Sequence, residues 1–414
     1  MDRYADIKVS SGNVAELNRH YYGGSADIGF LTMAQREEYQ QAFGRYLHRL
    51  LEGEYSNIST LKVLELGPRG TYFEKGVYKE IQRIDSEKGT DHADRVEWSL
   101  FDISEVAIKE AKTEYEYDAG SFFTTDFFVG DAVNDSLPTG YDVVLANELI
   151  DDLKQMVVVK RGEKLYESVS GIAVGDFVND TGITLRQKYL KPVRQINDYE
   201  YLEVILKYLG EGQKTTFFPD LDGLVRNVRK ASNPESKFIV HDYMIVGGVG
   251  SNTYPVERVF GNTDPAKVFN SEIDKGLIQI TADVNFLQLL DSLSKNGFAV
   301  KMIEEYEDFL GGELETRSVN KWKLDEVLKL CSRDEITKIA KLLRVEDDVD
   351  RIEIKKRLYE ILGLPYGVLG ANYRKESLAG KDIPKEVKEG IWDFYRSTLV
   401  VKNPLLNITA VKTD

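Results

Sequence analysis

The stretch Val63-Leu64-Glu65-Leu66-Gly67-Pro68-Arg69-Gly70-Thr71 decides how this chain is read. An apolar run, "LKVLEL", carries an acid near its end and runs into two closely spaced glycines; the amphipathic "FEKGVYKEIQRI" follows. Strand, glycine turn and helix in that order read as a ligand-binding loop of an open α/β sheet, or as a plain tight turn. The turn is too short for the dinucleotide fingerprint G-x-G-x-x-G, whose third glycine packs helix on strand. Pro68 also removes a backbone donor where a pyrophosphate would need one.

Outward from this loop the pattern repeats. "RVEWSLFDI", "DFFVGDA", "YDVVLANEL" and "SKFIVHDYMIV" read as four further strands rich in β-branched and aromatic residues. Ser104 is placed to cap a helix, "EVAIKEAKTEY", after the second strand. Such alternation predicts an α/β fold with a parallel sheet covered on both faces, binding its ligand beyond the carboxyl ends of the strands. Those ends are Glu65-Leu66-Gly67, Asp102, Gly130-Asp131, Asn147-Glu148 and His241-Asp242.

The acids at these ends select among ligands. Asp102 is placed to accept from ribose hydroxyls, or to enter the following helix. Asp131 is placed to accept from an adenine amino group, or to close a turn. Gly67 and Gly70 let backbone approach a ligand with no Cβ in the way. Glu65 beside a pyrophosphate would repel it, whereas beside a sulfonium or ammonium it would attract. The acidic set therefore favours S-adenosylmethionine over a nicotinamide dinucleotide. Asn147 and Glu148 leave the fourth strand where the methyl group would sit, Asn147 to orient an acceptor and Glu148 to hold or deprotonate it. Their structural alternative is a helix start, with Asp151 and Asp152 as first-turn acids. His241, with Asp242 and Tyr243 beside it, is either a general base for a hydroxyl or a satisfied structural histidine.

The motifs resemble those of the MidA-like methyltransferases, a family that includes the arginine methyltransferase of mitochondrial complex I assembly. "LELGPRGT" is similar to the family's E-x-G-P-G-x-G-T, one residue shorter before Arg69, and "ANELIDDL" to its A-N-E-x-x-D-A-L-P. "GFLT" (Gly29 to Thr32), "HDY" and "ADVNFLQLLDSLSKNGF" follow the family order, so the resemblance covers most of residues 20–305. It implies a class I, Rossmann-like methyltransferase fold using S-adenosylmethionine. Glu65, Gly67 and Gly70 would form the donor loop, and Asn147, Glu148 and Asp151 the second polar motif. Arginine-type nitrogen on a protein is the acceptor it favours. The alternatives are O-methylation of a small or carrier-bound hydroxyl with His241 as base, and a non-enzymatic assembly factor that kept the fold.

The remaining expectations come from bulk properties. The chain has 414 residues, 42% of them hydrophobic and 30% charged, and a formal charge of −15. That field repels nucleic acid and suits a cationic ligand or a basic partner. One cysteine, Cys331, and four histidines without a His-x-x-x-His pair argue against a metal site. The start, "MDRYADIKVSSG", has no signal-peptide core, and no run approaches the roughly 20 apolar residues of a membrane span, so a cytoplasmic protein is expected. Residues 1–60 read as a helical cap, with Ala34 to Leu51 helical. Residues 61–305 read as the core, with an acceptor-side insertion at about 153–235 that contains the hairpin "MVVVKRGEKLYESV". Residues 306–393 read as a helical insert offering a surface for recognition or for a homo-oligomer. Residues 394–414 read as the last core strand.

Overall fold

The computed structural model describes residues 4–9, 33–68, 70–118, 120, 122–168, 170–179, 182–189, 194–197, 199, 201–245, 258–261, 278–310 and 405–413. The strands used below are β1 (Leu61–Leu66), β2 (Val96–Asp102), β3 (Thr124–Val129), β4 (Tyr141–Asn147), β5 (Met156–Arg161), β6 (Lys164–Ser168), β7 (Lys214–Phe217), β8 (Ser232–Ile245), β9 (Phe298–Glu305) and β10 (Leu405–Lys412). The helices are α1 (Glu37–Glu52), α2 (Tyr72–Lys88), α3 (Glu105–Tyr117), α4 (Tyr201–Tyr208), α5 (Leu221–Ala231), α6 (Phe286–Lys295) and the single turn α7 (Tyr306–Phe309).

The main sheet runs β9-β10-β8-β4-β1-β2-β3, with β10 antiparallel to both neighbours and the others parallel. Its strands are apolar on both faces because helices cover both. Val143, Leu145 and Ile239 face α1 and α2 in one core cluster. Val144, Ala146, Phe238 and Val240 face α5 and α6 in the other. This is the period of two that alternates side chains across a strand. Ser104 caps α3, its hydroxyl accepting from the amide of Ala107 at 3.2 Å. Gly89 ends α2 at φ 69, a left-handed conformation that glycine adopts without Cβ strain.

The hairpin β5–β6 turns at Gly162, with Arg161 opposite Lys164, and belongs to a four-stranded antiparallel sheet completed by β7 and Arg194–Ile196. One segment differs from the sequence reading. Tyr4–Val9 is a strand paired with Ser170–Asn179, so the first 60 residues are not wholly helical. The last strand of the sheet, "LLNITAVK", Leu405–Lys412, falls within the 394–414 expected for it. Apart from residues 306–310, the expected helical insert lies outside the described residues, as do Cys331, Arg69 and "GFLT". Among the described residues, no helix is long and apolar enough to cross a membrane.

Candidate functional site

Strand order reverses between β1 and β4: the chain moves from β1 outward to β3, then returns to β4 on the other side. At such a switch point the loops leaving the two central strands diverge and open a crevice. A cleft of about 180 Å³ lies there, lined by Gly67, Phe101, Asp102, Ile103, residues 130–134, Glu148, Leu149, residues 152–154 and Asp220. Five of the lining side chains are carboxylates (Asp102, Asp131, Glu148, Asp152 and Asp220) and only Lys154 is cationic. Burial raises the Asp220 carboxyl above its ordinary range, with Asp131 adding to the rise and Lys154 opposing it. The cleft is thus electrostatically suited to a cation.

Glu148 is the strained residue of the cleft. Its φ is +44°, and among the described residues only Glu235 is another non-glycine with positive φ. A side chain in the left-handed region costs roughly 1–2 kcal/mol, so the surroundings must enforce it. Three contacts do so. The Glu148 amide donates to the His241 carbonyl at 2.8 Å, extending the β4–β8 pairing by one residue. The Asp242 carboxylate then accepts from the amides of Ile150 and Asp151 at 3.0 and 3.2 Å. Leu149 packs over Gly67, where a Cβ would stand 2.9 Å from its Cδ1. The stretches "LELG", "ANELIDD" and "HDY", far apart in the chain, therefore build one turn.

Gly67 itself has φ +70°, and its amide donates to the Phe101 carbonyl at 2.9 Å. With that donor used by the sheet and Pro68 lacking one, two consecutive positions have no N–H to offer a phosphate. Gly67→Ala should therefore lower stability by about 1–2 kcal/mol, read from the urea midpoint at unchanged slope. An unchanged midpoint would mean that the turn relaxes without cost.

The expected site residues divide between two faces of the sheet. Gly67, Asp102, Asp131 and Glu148 come together in the cleft. Asp102 is buried and accepts from the Ser104 amide at 2.7 Å. Asp131 closes a turn, its Oδ1 accepting from Val133 at 2.9 Å and its Oδ2 from the Asn134 side chain at 2.9 Å. Gly70 has φ +121° and lies beside Tyr72, away from the cleft lining.

Glu65, Asn147 and His241 turn to the opposite face, toward α1. Glu65 is buried and accepts from the Trp98 indole at 3.1 Å. Burial pushes its carboxyl well above the usual range; Trp98 opposes that rise, while Glu74 and Asp102 add to it. The sequence reading placed this acid beside a cationic ligand; the fold buries it under the sheet, away from the cleft lining. Asn147 accepts from the Tyr39 hydroxyl at 2.6 Å, and its Nδ2 is buried with no hydrogen-bond partner. His241 is fully buried among aromatic rings, with Tyr39 at 4.6 Å, Tyr306 at 5.3 Å and Phe309 at 6.0 Å between centroids. Burial lowers its pKa to about 3, and neither ring nitrogen has a hydrogen-bond partner. It does not line the cleft, so a base role there meets a physical obstacle: it is walled off and its lowered pKa makes it a weak proton acceptor.

Sequence reasoning missed Tyr39, Lys154 and Asp220. Tyr39 sat at helical spacing among apolar residues and read as core, with nothing in its surroundings to mark the hydroxyl as a partner of Asn147. Lys154 and Asp220 lie in loops whose approach to the cleft depends on how the insertion folds back.

No protein-family model matches the chain, and no curated protein matches it. Solved structures do. An inferred methyl transferase from Burkholderia thailandensis, bound to S-adenosyl-homocysteine, superposes with a TM-score of 0.52 at 14% identity, over 98% of this chain and 88% of that one. An O-methyltransferase from a Brevibacillus brevis multienzyme, in complex with S-adenosyl-L-homocysteine, gives a TM-score of 0.34 at 10% identity over 92% and 80%. The phosphoethanolamine N-methyltransferase 2 of Haemonchus contortus gives 0.31 at 11% over 92% and 60%. The last two superpose too loosely to add to the assignment. The first, taken with the strand order, establishes the fold: this chain carries the α/β fold of class I methyltransferases.

Proposed function

We propose that this protein is an S-adenosylmethionine-dependent methyltransferase whose donor lies in the cleft and whose acceptor meets Glu148. The observation that carries this reading is the acidic cleft at the strand-order reversal, with Glu148 forced into a left-handed conformation at its edge. A phosphate-rich dinucleotide fits poorly against five carboxylates and an amide-poor loop. Adenosylmethionine has no phosphate and carries a sulfonium and an ammonium, and it fits both. The first solved structure described above holds the corresponding demethylated product, which supports the same ligand. The MidA-like resemblance, which rests on the motifs, points in the same direction.

When bound, the donor supplies an electrophilic methyl group on sulfur. The protein's own work is then mostly positioning, with the attacking atom held about 3–3.5 Å from that methyl. Asp102, at the end of β2, is assigned to the ribose hydroxyls, and Asp131, after β3, to the adenine edge. Gly67 keeps the β1 turn thin enough for close approach. Glu148 would pair with a cationic acceptor and take its proton, because a guanidinium has a pKa above about 12 and is no nucleophile until it loses one. A nitrogen of arginine type on a protein is the acceptor this favours, in keeping with the net charge of −15. O-methylation with His241 as base draws no support from an imidazole buried away from the cleft.

Calorimetric titration with S-adenosylhomocysteine should show one site per chain, and Asp102→Ala should weaken it about 10–100-fold, the worth of a charge-assisted hydrogen bond. Binding of NADH in place of either adenosyl compound would overturn the ligand assignment. Methyl-tritiated donor in a lysate of the source cells should then label protein rather than small molecules. Label confined to small molecules would refute the protein acceptor. Donor binding with no turnover at all would point to the assembly-factor reading.

A further inference from the structure

We propose that His48, Asp85 and His92 form a binding site for a divalent first-row transition metal, with zinc as the cation its donors fit best. This stands apart from the methyltransferase reading. His48 lies near the end of α1, Asp85 in the last turn of α2, and His92 opens the short turn that leads into β2. They meet at the amino ends of the parallel strands, at the opposite edge of the sheet from the cleft. The single cysteine and the lack of a His-x-x-x-His pair argued against a metal; these residues are 37 and 7 positions apart, and only packing brings them together.

The geometry separates a metal site from an ordinary hydrogen-bonded pair. His48 Nε2 and His92 Nδ1 both point at one oxygen, Asp85 Oδ1, at 3.5 and 3.4 Å. Those separations exceed the 2.7–3.2 Å of N–H···O hydrogen bonds. Two donor atoms each about 2.0–2.1 Å from a tetrahedral zinc stand about 3.3–3.4 Å apart, which matches. All three donor atoms lie within 4.8 Å of one another. All three residues are more than nine-tenths buried, at 1%, 7% and 8% exposure for His48, Asp85 and His92. Neither His48 Nε2 nor His92 Nδ1 has a hydrogen-bond partner. Two desolvated imidazole nitrogens converging on one carboxylate oxygen are costly by themselves and are satisfied together by one cation.

The surroundings orient the donors as a metal's outer shell does. The other nitrogen of His48, Nδ1, faces Glu52 Oε2 at 3.5 Å. Asp85 Oδ1 accepts from the Thr90 hydroxyl at 2.5 Å and Oδ2 from the Ala93 amide at 2.8 Å, which aims the carboxylate. The two imidazoles stack at 4.6 Å between centroids and 22° between planes. Two imidazoles and a carboxylate hold ferrous iron as well as zinc; the near-tetrahedral donor spacing favours zinc, and three protein ligands leave a position for water. A cation here would tie α1 to the turn before β2.

The test uses the full-length chain without a histidine tag, stripped with a chelator and then titrated with zinc against a chromophoric competitor. One equivalent should bind at micromolar affinity or tighter. The melting midpoint should rise by about 3–5 °C at a hundredfold excess over the dissociation constant. Cobalt in place of zinc should give the visible bands of a four- or five-coordinate ion. His92→Gln and Asp85→Asn should each weaken zinc at least about 100-fold while melting like the stripped wild type. Uptake of no zinc or cobalt by the wild type, with no change in its melt, overturns the proposal. Undiminished binding in both folded variants does so as well. Should either variant fail to fold, the wild-type stoichiometry and cobalt spectrum decide.

Discussion

Replacing Glu148 with Gln should reduce turnover about 10²–10⁴-fold, the range for loss of a general base, while affinity for S-adenosylhomocysteine changes little. The amide keeps the shape of the side chain but neither neutralises a guanidinium nor takes its proton. Glu148→Gly separates chemistry from strain. It removes the same carboxylate and also relieves the φ of +44°. Relief of roughly 1–2 kcal/mol, set against the extra backbone entropy of glycine, should leave this variant about 0.5–1 kcal/mol more stable than wild type. It should be as inactive as the Gln variant. A side chain whose removal stabilises the fold and abolishes turnover is one kept for function. Turnover is read as label transferred to the protein fraction that the wild type methylates, and stability as the urea midpoint. Near-wild-type turnover in Glu148→Gln would remove Glu148 from the chemistry.

Glu74 should impose a fall of stability with rising pH. It lies in the first turn of α2 and is fully buried. One of its oxygens accepts from the Thr125 hydroxyl and the other has no hydrogen-bond partner. Burial pushes its carboxyl up to about 8 from an ordinary 4.5, with Thr125 opposing and Glu114 adding. The folded chain therefore holds a proton that the unfolded chain releases. The resulting stability is fully present below about pH 4.5 and is lost as pH rises through about 8. Its full extent is on the order of 3–5 kcal/mol. Glu74→Gln keeps an acceptor for Thr125 and cannot ionise. Relative to wild type it should be near neutral at pH 5 and should gain steadily toward pH 9. Asp242, also raised by burial, tilts both proteins alike, whereas Glu65 is raised in part by Glu74 itself, so the difference between the two curves reports Glu74 together with its effect on Glu65. Parallel curves across that range would mean that Glu74 is ionised in the fold.

Much of this architecture was legible in the chain alone. Each core strand of a parallel sheet must be apolar on both faces, so "LKVLEL", "YDVVLAN" and "KFIVHDYM" stand out as unbroken runs. Polar residues can enter such strands only at their ends, so reading the ends also located Gly67, Asp102, Asp131 and Glu148, all of which line the cleft. The last core strand was expected within residues 394–414, and Leu405–Lys412 pairs there; its register against β8 and β9 is a long-range property that the chain alone does not show.

What the tertiary structure decided is the direction of each polar group. The period of two says that Glu65 and Leu66 point to opposite faces, but the order of strands and the packing of α1 settle which face is dry. Glu65, Asn147 and His241 thus became interior groups under Tyr39, though they end the same strands as the residues of the cleft. The same holds at the far edge of the sheet, where His48, Asp85 and His92 meet across two helices and a turn. Composition and spacing act over neighbouring residues and set the elements. Desolvation, which turns a carboxylate neutral or leaves an imidazole without a partner, depends on residues tens to hundreds of positions away, and only the packed chain brings these together.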